Sequence, residues 1–377
     1  MLKNKKLIVH IITSTTTGGA EIALYNFLAN SNFSAFNHCV ISLAPIGNVG
    51  ERISRLGINV FSLNLRAKNR DILSIFKVLN LFKILNADFV HCWMYHANVL
   101  GGLAARMAGL PVFWSVHHDQ LNPALLKRRT ILIAKLSGFL SRIIPNLIIF
   151  CSKSSLNEHI RLGYDLNKST VISNGFDTQE FVPDDMKKSL FRKRNGIPEN
   201  AVIVGRIGRF DPTKDYHSLL VAAGIATKSF ENVYFLLCGD QINWENKTVF
   251  NWVDDAGIKE RTLLLGQCDD MPYIYAALDI NVSSSLSESF PNVIGEAMSC
   301  GVPCVVTDVG DSSILVGDTG IVVPPGDSEK LANAIEGLIG DEEKRISCGK
   351  AARQRICKYY SIQSMVNHYE GLYSQYL

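Results

Sequence analysis

Residues 7–28 read Leu7-Ile-Val-His-Ile-Ile-Thr-Ser-Thr-Thr-Thr-Gly-Gly-Ala-Glu-Ile-Ala-Leu-Tyr-Asn-Phe-Leu28. Leu7–Ile12, apolar except for His10, has the length of a buried strand. A polar Ser/Thr run and a Gly-Gly pair follow, and apolar residues then return at helical spacing over Ala20–Leu28. Strand, glycine turn and helix in that order open a doubly wound α/β domain. The basic start Met1-Leu-Lys-Asn-Lys-Lys6 has the charge of a secretory signal head, but the apolar run behind it is too short to complete one.

The alternation continues outward from there. Strands are expected at His38–Leu43, Val60–Leu63, Asp88–Cys92, Val112–Val116 and Leu147–Cys151, with helices at Asp71–Leu85 and Asn98–Ala108. The pattern then restarts. Strands are expected at Ala201–Ile207, Val233–Cys238, Thr262–Leu265, Ile280–Ser283 and Pro303–Thr307. Helices fall near Tyr216–Ala226, Thr248–Ala256, Met271–Ala277 and Asn292–Cys300. Two Rossmann-like domains in series result, expected at 1–180 and 181–359 and facing across a cleft. A polar hinge is expected over Ser173–Arg194. A last helix (360–377) bears an aromatic stripe of Tyr369, Tyr373 and Tyr376. Ligands of such sheets bind beyond the carboxyl ends of the strands, so functional residues should follow strands directly.

Composition narrows the class. With 47% hydrophobic and 19% charged residues in 377, the chain can fill two packed cores and is not disordered. Nine cysteines, an odd number without any Cys-x-x-Cys pair, argue against a disulfide framework and against structural zinc. The most apolar stretch, 131–150, is broken by Lys135, Arg142 and Pro145, so the roughly 20 apolar residues of a bilayer span are not met. The expectation is a cytoplasmic protein, soluble or peripheral on the inner face of the membrane. Residues 1–180 hold 19 Lys/Arg against nine Asp/Glu, and the remainder 19 against 26. Either the basic half faces something anionic, or charge simply drifts between two domains.

Four segments carry chemistry. Thr17-Gly-Gly-Ala-Glu21 brings backbone amides and a helix start together, which suits a diphosphate, although a plain tight turn reads the same way. It lacks Gly-x-Gly-x-x-Gly spacing, as does the second half, which disfavours a nicotinamide-dependent dehydrogenase. In Gly205-Arg-Ile-Gly-Arg-Phe-Asp-Pro-Thr-Lys214, Arg209 and Lys214 flank a proline turn and can converge on one anion. The alternative is a solvated loop. In Ser287-Glu-Ser-Phe-Pro-Asn-Val-Ile-Gly-Glu-Ala-Met-Ser-Cys-Gly-Val-Pro303, Glu288 lies in a loop and Glu296 on the helix behind it. Two such carboxylates can accept from vicinal hydroxyls, one on a sugar and one on a ribose, while the Phe290–Val293 amides face a ligand. A buried Glu296 needs a specific hydroxyl or cation; a nearby Lys or Arg would serve structurally. Finally, His117 in Ser115-Val-His-His-Asp119 ends a strand, where it can bond a sugar hydroxyl or remain structural.

Taken together, the chain resembles the group 1 glycosyltransferases, the large retaining GT-B family 4. The likeness runs nearly end to end through Thr17–Glu21, Val116-His117, Cys151-Ser-Lys-Ser, Val171-Ile-Ser-Asn-Gly-Phe-Asp177, Gly208-Arg209 with Lys214, Gly239-Asp240, the Glu288-to-Pro303 block and Gly320-Ile-Val-Val-Pro-Pro-Gly-Asp327. The resemblance implies that Gly18 and Gly19 lie against the donor's diphosphate or sugar, and that Arg209 and Lys214 neutralise the departing diphosphate. It implies that Glu288 holds the transferred sugar and Glu296 the ribose. Ser289, Phe290, Pro291, Asn292 and Val293 complete the donor contacts, and His117 acts near the anomeric carbon. It implies that the last helix crosses back onto the first domain. Two departures stand out: Val309-Gly-Asp-Ser-Ser where the family often reads Val-Gly-Gly followed by Glu, and Phe176 where it commonly has Ile.

A hexosyl unit is therefore expected to pass, with retention, from a nucleoside-diphosphate sugar, with uridine favoured as the family's commonest donor nucleotide, to a glycan or polyprenyl-diphosphate-linked glycan. Bacterial surface polysaccharide or lipopolysaccharide assembly is the expected setting. No enzyme nucleophile is evident. No Asp-x-Asp occurs, so neither a metal nor another cofactor is expected. Lys127–Arg142 mixes a basic cluster with an apolar face, which suits an anionic membrane surface or a packed amphipathic helix. No nucleic-acid partner is expected. The alternatives are a GT-B sugar-nucleotide epimerase or a non-catalytic nucleotide-sugar-binding protein.

Overall fold

The computed structural model describes residues 5–65, 74–118 and 128–377. The chain divides into two units, Met1–Gly175 with Ile362–Leu377, and Phe176–Ser361. In the first, among the described residues, seven strands form one parallel sheet: β1 (Lys6–Ile12), β2 (Phe36–Ser42), β3 (Asn59–Ser62), β4 (Phe89–Trp93), β5 (Val112–Val116), β6 (Leu147–Phe150) and β7 (Ser169–Val171). Their order is β3-β2-β1-β4-β5-β6-β7, so the winding reverses between β1 and β4. The register there sets Ile11 beside Cys92 and Ile12 beside Trp93.

Both faces of this sheet are covered, which is why its central strands are nearly all apolar. Val9, Ile11, Val90 and Trp114 pack toward helices Ser74–Leu85, Tyr95–Met107 and Arg128–Leu140. Ile8, Ile12, Phe89 and Phe113 pack with Gly19–Asn30 and with the last helix, Ile362–Tyr376, through Met365, Val366, Tyr369 and Tyr373. The aromatic stripe of that helix is thus core, apart from the partly exposed Tyr376.

The second unit repeats the plan with β8 (Val202–Ile207), β9 (Val233–Cys238), β10 (Thr262–Leu264), β11 (Ile280–Ser283), β12 (Cys304–Thr307) and β13 (Ile321–Val323). The order is β10-β9-β8-β11-β12-β13, all parallel, and it reverses between β8 and β11.

The division between the units, Gly175 to Phe176, falls inside the expected hinge segment. Much of the polar hinge of Ser173–Arg194 is helix, Asp185–Asn195. Asp184 caps it by accepting from the Lys187 amide, and Gly196 ends it in the left-handed conformation, φ +66°. Its inward side is ionic as well as apolar: Phe191 is buried against Tyr273, and Lys188 and Arg192 reach Asp279 at 2.6 and 2.7 Å. The expected helix Asp71–Leu85 begins at Ser74, residues 71–73 lying outside the described residues, as does Lys127 at the head of the Lys127–Arg142 segment. Among the described residues, no helix is long and apolar enough to cross a membrane.

Candidate active site

In both units the singled-out residues follow the strands around the switch point, where ligands of doubly wound sheets bind. After β8, Asp211 caps a short turn by accepting from the Thr213 amide at 2.9 Å and hydroxyl at 2.7 Å. Arg209 donates to Asp211 from Nε and Nη2 at 3.3 and 3.2 Å, with its side chain 70% exposed. Lys214 Nζ donates to Glu288 Oε1 at 2.6 Å, with the two side chains 20% and 10% exposed. Each of the two cations thus holds a carboxylate. Lys214 has three N–H groups, and this ion pair uses one of them.

Behind the pair sits a cation the sequence reading did not single out. Arg206, 1% exposed, donates to Ser285 Oγ at 2.8 Å and to the Lys214 carbonyl at 3.2 Å. Ser285 in turn donates to Glu288 Oε1 at 2.7 Å. Among the described residues no carboxylate lies within ion-pair distance of Arg206, so the cluster of Arg206, Lys214 and Glu288 carries excess positive charge. The signal was present: one arginine stands in the otherwise apolar run Val-Ile-Val-Gly-Arg-Ile of β8. The Glu288 loop is braced by the segment that departs from the family pattern. Gly310 has φ +55°, and a Cβ there would come within 2.0 Å of the Glu288 carbonyl oxygen. The Asp311 amide donates to the Ser289 carbonyl at 3.1 Å.

Glu296 lies on helix Asn292–Ser299, whose N-cap residue, Pro291, provides no capping side chain for the first-turn amides of Asn292 and Val293. Its partner is neither Lys nor Arg. The Tyr275 hydroxyl donates to Glu296 Oε2 at 2.8 Å. Burial raises the Glu296 pKa; the phenol opposes this, and the negative charge of Glu180 adds to it. Phe290 is buried and stacks on Phe176, rings 5.9 Å apart and 19° from parallel. A Cβ at Gly295 would fall 2.0 Å from the same Phe176 ring, so the Phe in Asn-Gly-Phe-Asp is fitted into this loop's support.

In the first unit, Gly18 is the N-cap of helix Gly19–Asn30. A Cβ on Gly19 would meet nothing within 4 Å, so the chain's own packing gives no reason for glycine there. His117 follows β5 and stacks on Trp93 at 5.3 Å and 21°. Burial lowers its pKa to about 4, with the Asn174 side chain opposing, so the imidazole is neutral at pH 7. Its backbone N–H donates to Met94 Sδ at 3.4 Å. Met94 itself has φ +73° and ψ 159°, a conformation left mainly to glycine and costing about 1–3 kcal/mol, the kind of strain that gathers at functional sites.

Residues 17–180 match the family described as Glycosyltransferase Family 4, and residues 187–355 the one described as Glycosyl transferases group 1. The chain belongs to the group 1 glycosyltransferases. This transferase is 29% identical over 309 residues, 81% of its own length and 79% of the other's, to the UDP-Gal:alpha-D-GlcNAc-diphosphoundecaprenol alpha-1,3-galactosyltransferase of Escherichia coli. It is 24% identical over 327 residues (81% and 82% of the two chains) to the capsular polysaccharide biosynthesis glycosyltransferase CapM of Staphylococcus aureus. Among solved structures it superposes on Anabaena HepE (Alr3699) in complex with UDP with a TM-score of 0.86, at 25% identity, covering 98% and 99% of the two chains. The fold is GT-B. With transferases as relatives, neither the epimerase nor the non-catalytic alternative is favoured.

Proposed function

We propose that this transferase moves a hexosyl unit, with retention, from a UDP-sugar to a hydroxyl of a lipid-linked glycan in surface polysaccharide assembly. The observation that carries the reading is the Arg206–Ser285–Glu288–Lys214 cluster, two cations bonded around one carboxylate, Arg206 through Ser285, at the carboxyl ends of β8 and β11. Lys214 and Arg209 neutralise the diphosphate as the bond from anomeric carbon to phosphate oxygen breaks. The acceptor oxygen attacks the same face, and its proton passes to the departing phosphate. Glu288 holds the transferred sugar, and Glu296 with Tyr275 holds the ribose. Ser289, Phe290, Pro291, Asn292 and Val293 form the donor-contacting turn. Gly18 and Gly19 lie against the donor, and neutral His117 meets the sugar. No metal enters this scheme, so transfer should persist in EDTA. Support for uridine comes from HepE, solved with UDP and with UDP-glucose, and for the acceptor from the Escherichia coli enzyme's diphosphoundecaprenol-linked substrate.

The test is a binding panel of UDP, GDP and ADP in EDTA, read by calorimetry and thermal shift, against Glu296→Ala. UDP should stabilise the parent chain, since a ligand that binds only the folded state raises apparent stability, and should fail on the variant. Absence of any nucleotide binding would remove the donor assignment.

A membrane-side acceptor is supported by a separate surface. Helices Ser74–Leu85, Tyr95–Met107 and Arg128–Leu140 pack side by side and contain no Asp or Glu. They expose Phe76, Ile84, Met107, Leu132, Leu136 and Phe139 among Lys77, Lys83, Arg106, Arg129 and Lys135. Apolar side chains among cations suit an anionic interface. The chain should sediment with phosphatidylglycerol vesicles and not with phosphatidylcholine vesicles. Leu132→Glu with Phe139→Glu should abolish this; equal sedimentation of parent and variant would overturn it.

A further inference from the structure

A chain of hydrogen bonds in the first unit, partly exposed at Glu370 and buried from Ser31 inward, runs from the last helix to the ring on which His117 stacks. Trp93 Nε1 donates to His10 Nδ1 at 3.3 Å. His10 Nε2 lies 3.0 Å from His38 Nδ1, and His38 Nε2 lies 2.8 Å from Ser31 Oγ. Ser31 Oγ donates to Glu370 Oε1 at 2.9 Å, and the Asn32 amide reaches the same oxygen at 2.7 Å.

The sense of every link follows from its neighbours. An indole N–H can only donate, so His10 Nδ1 must be bare. His10 is fully buried, and burial, with the neighbouring imidazoles, holds its pKa well below the usual value; it is neutral and carries its one proton on Nε2. That proton points at His38 Nδ1, which must therefore also be bare. His38, lowered to about 4 by burial, is neutral as well, and its proton sits on Nε2 facing Ser31. The Ser31 hydroxyl is then free to donate only onward, to the Glu370 carboxylate. Any other tautomer at either histidine sets two donors or two bare nitrogens against each other somewhere along the chain, which a buried network does not tolerate cheaply.

We infer that Glu370 is a positioning residue for His117, acting through this one-way relay to fix the plane of Trp93. Trp93 ends β4 at the switch point, and its indole edge is held by the relay. Further ring contacts come from Tyr369 of the last helix, 5.9 Å away, and from His91, 4.6 Å away, which is bonded to Tyr373 of the same helix at 2.6 Å and to Ser115 at 2.8 Å. His117 lies flat against the indole, with the Asn174 side chain bonded to its ring. A stack alone is worth about 0.5–1.5 kcal/mol, too little to hold a ring in one plane unless the ring beneath it is fixed. The inference rests on the reading that His117 meets the donor sugar.

The experiment is nitrogen NMR of protein labelled at histidine and tryptophan, combined with transfer kinetics. At pH 7.5, His10 and His38 should both show protonated Nε2 and bare Nδ1. Glu370→Gln keeps an oxygen acceptor for Ser31 and should leave the Trp93 and His117 resonances and kcat near those of the parent. Glu370→Ala should shift both resonances and lower kcat by about tenfold with UDP affinity unchanged. Ser31→Ala cuts the same chain one link earlier and should behave like Glu370→Ala, which covers a helix variant that folds poorly. A protonated Nδ1 on either histidine, or Trp93 and His117 resonances unmoved in both alanine variants, would overturn the relay. If the resonances move as expected but His117→Ala transfers normally, the assignment of His117 to the donor fails and the positioning of its ring stands.

Discussion

A carboxylate buried to the degree of Glu296 resists ionisation, because the low-polarity surroundings disfavour charge more than one phenol can repay. If its function is to accept from ribose hydroxyls, the ionised form is the binding form. The sign follows: the pKa is raised above 4.5, so UDP affinity should be constant at high pH and fall as pH drops through that raised value. In Glu296→Gln the dependence should vanish along with most of the affinity. Calorimetry from pH 8 down to pH 4 reads both, and an unsloped parent would mean that Glu296 does not meet the ligand. Glu296 and Glu288 were legible because they sit eight residues apart in one dense block. Tyr275 and Ser285 were not, since each becomes meaningful only when a distinct strand or helix carries it to a carboxylate. Arg206 stood midway: its place in an apolar strand was visible, but the absence of a matching carboxylate was not.

At the level of elements, helix Asp185–Asn195 shows how a segment can be fixed by charge where apolar periodicity is weak. Arg192, with 3% of its side chain exposed, donates to Asp279 and also to the carbonyls of Pro198 and Ala201. Asp279 additionally accepts from Lys188 and from the Ile203 amide that leads β8 into the sheet. Asp279→Ala strands a buried guanidinium, and breaking one side of such a pair costs about 3–5 kcal/mol. Urea unfolding should show that loss; a change under 1 kcal/mol would mean the ions are effectively solvated. A polar composition hid this helix, yet its ends were written in Asp184 and Gly196. The starts of helices Ser328–Ile339 and Glu342–Tyr359 were likewise written in their caps, Asp327 and Asp341. The three-residue strands β7 and β13 carried too few residues for any period to register.

For the whole molecule, the order of strands, helices and glycine turns was legible because parallel sheets buried on both faces force long apolar runs. What those runs concealed is a set of polar groups inside the first unit. His10, His38, His91, His117 and His159 are all held neutral by burial, three of them with pKa values lowered to about 4. In the unfolded chain each titrates near 6.5. Above pH 6.5 neither state binds these protons, so stability is flat with pH. Between 6.5 and about 4 the unfolded chain binds protons that the folded chain refuses, and stability falls steadily as the solution is acidified. The second unit has one histidine, His217, against eight in the first. Acid should therefore weaken the first unit selectively. In a Trp244→Phe, Trp252→Phe variant the remaining indoles, Trp93 and Trp114, report on the first unit alone. The urea midpoint followed by their fluorescence should drop clearly from pH 7 to pH 5. A flat midpoint would mean that these imidazoles accept protons while folded, and a His10 or His38 that can do so could not maintain the one-way relay to Trp93.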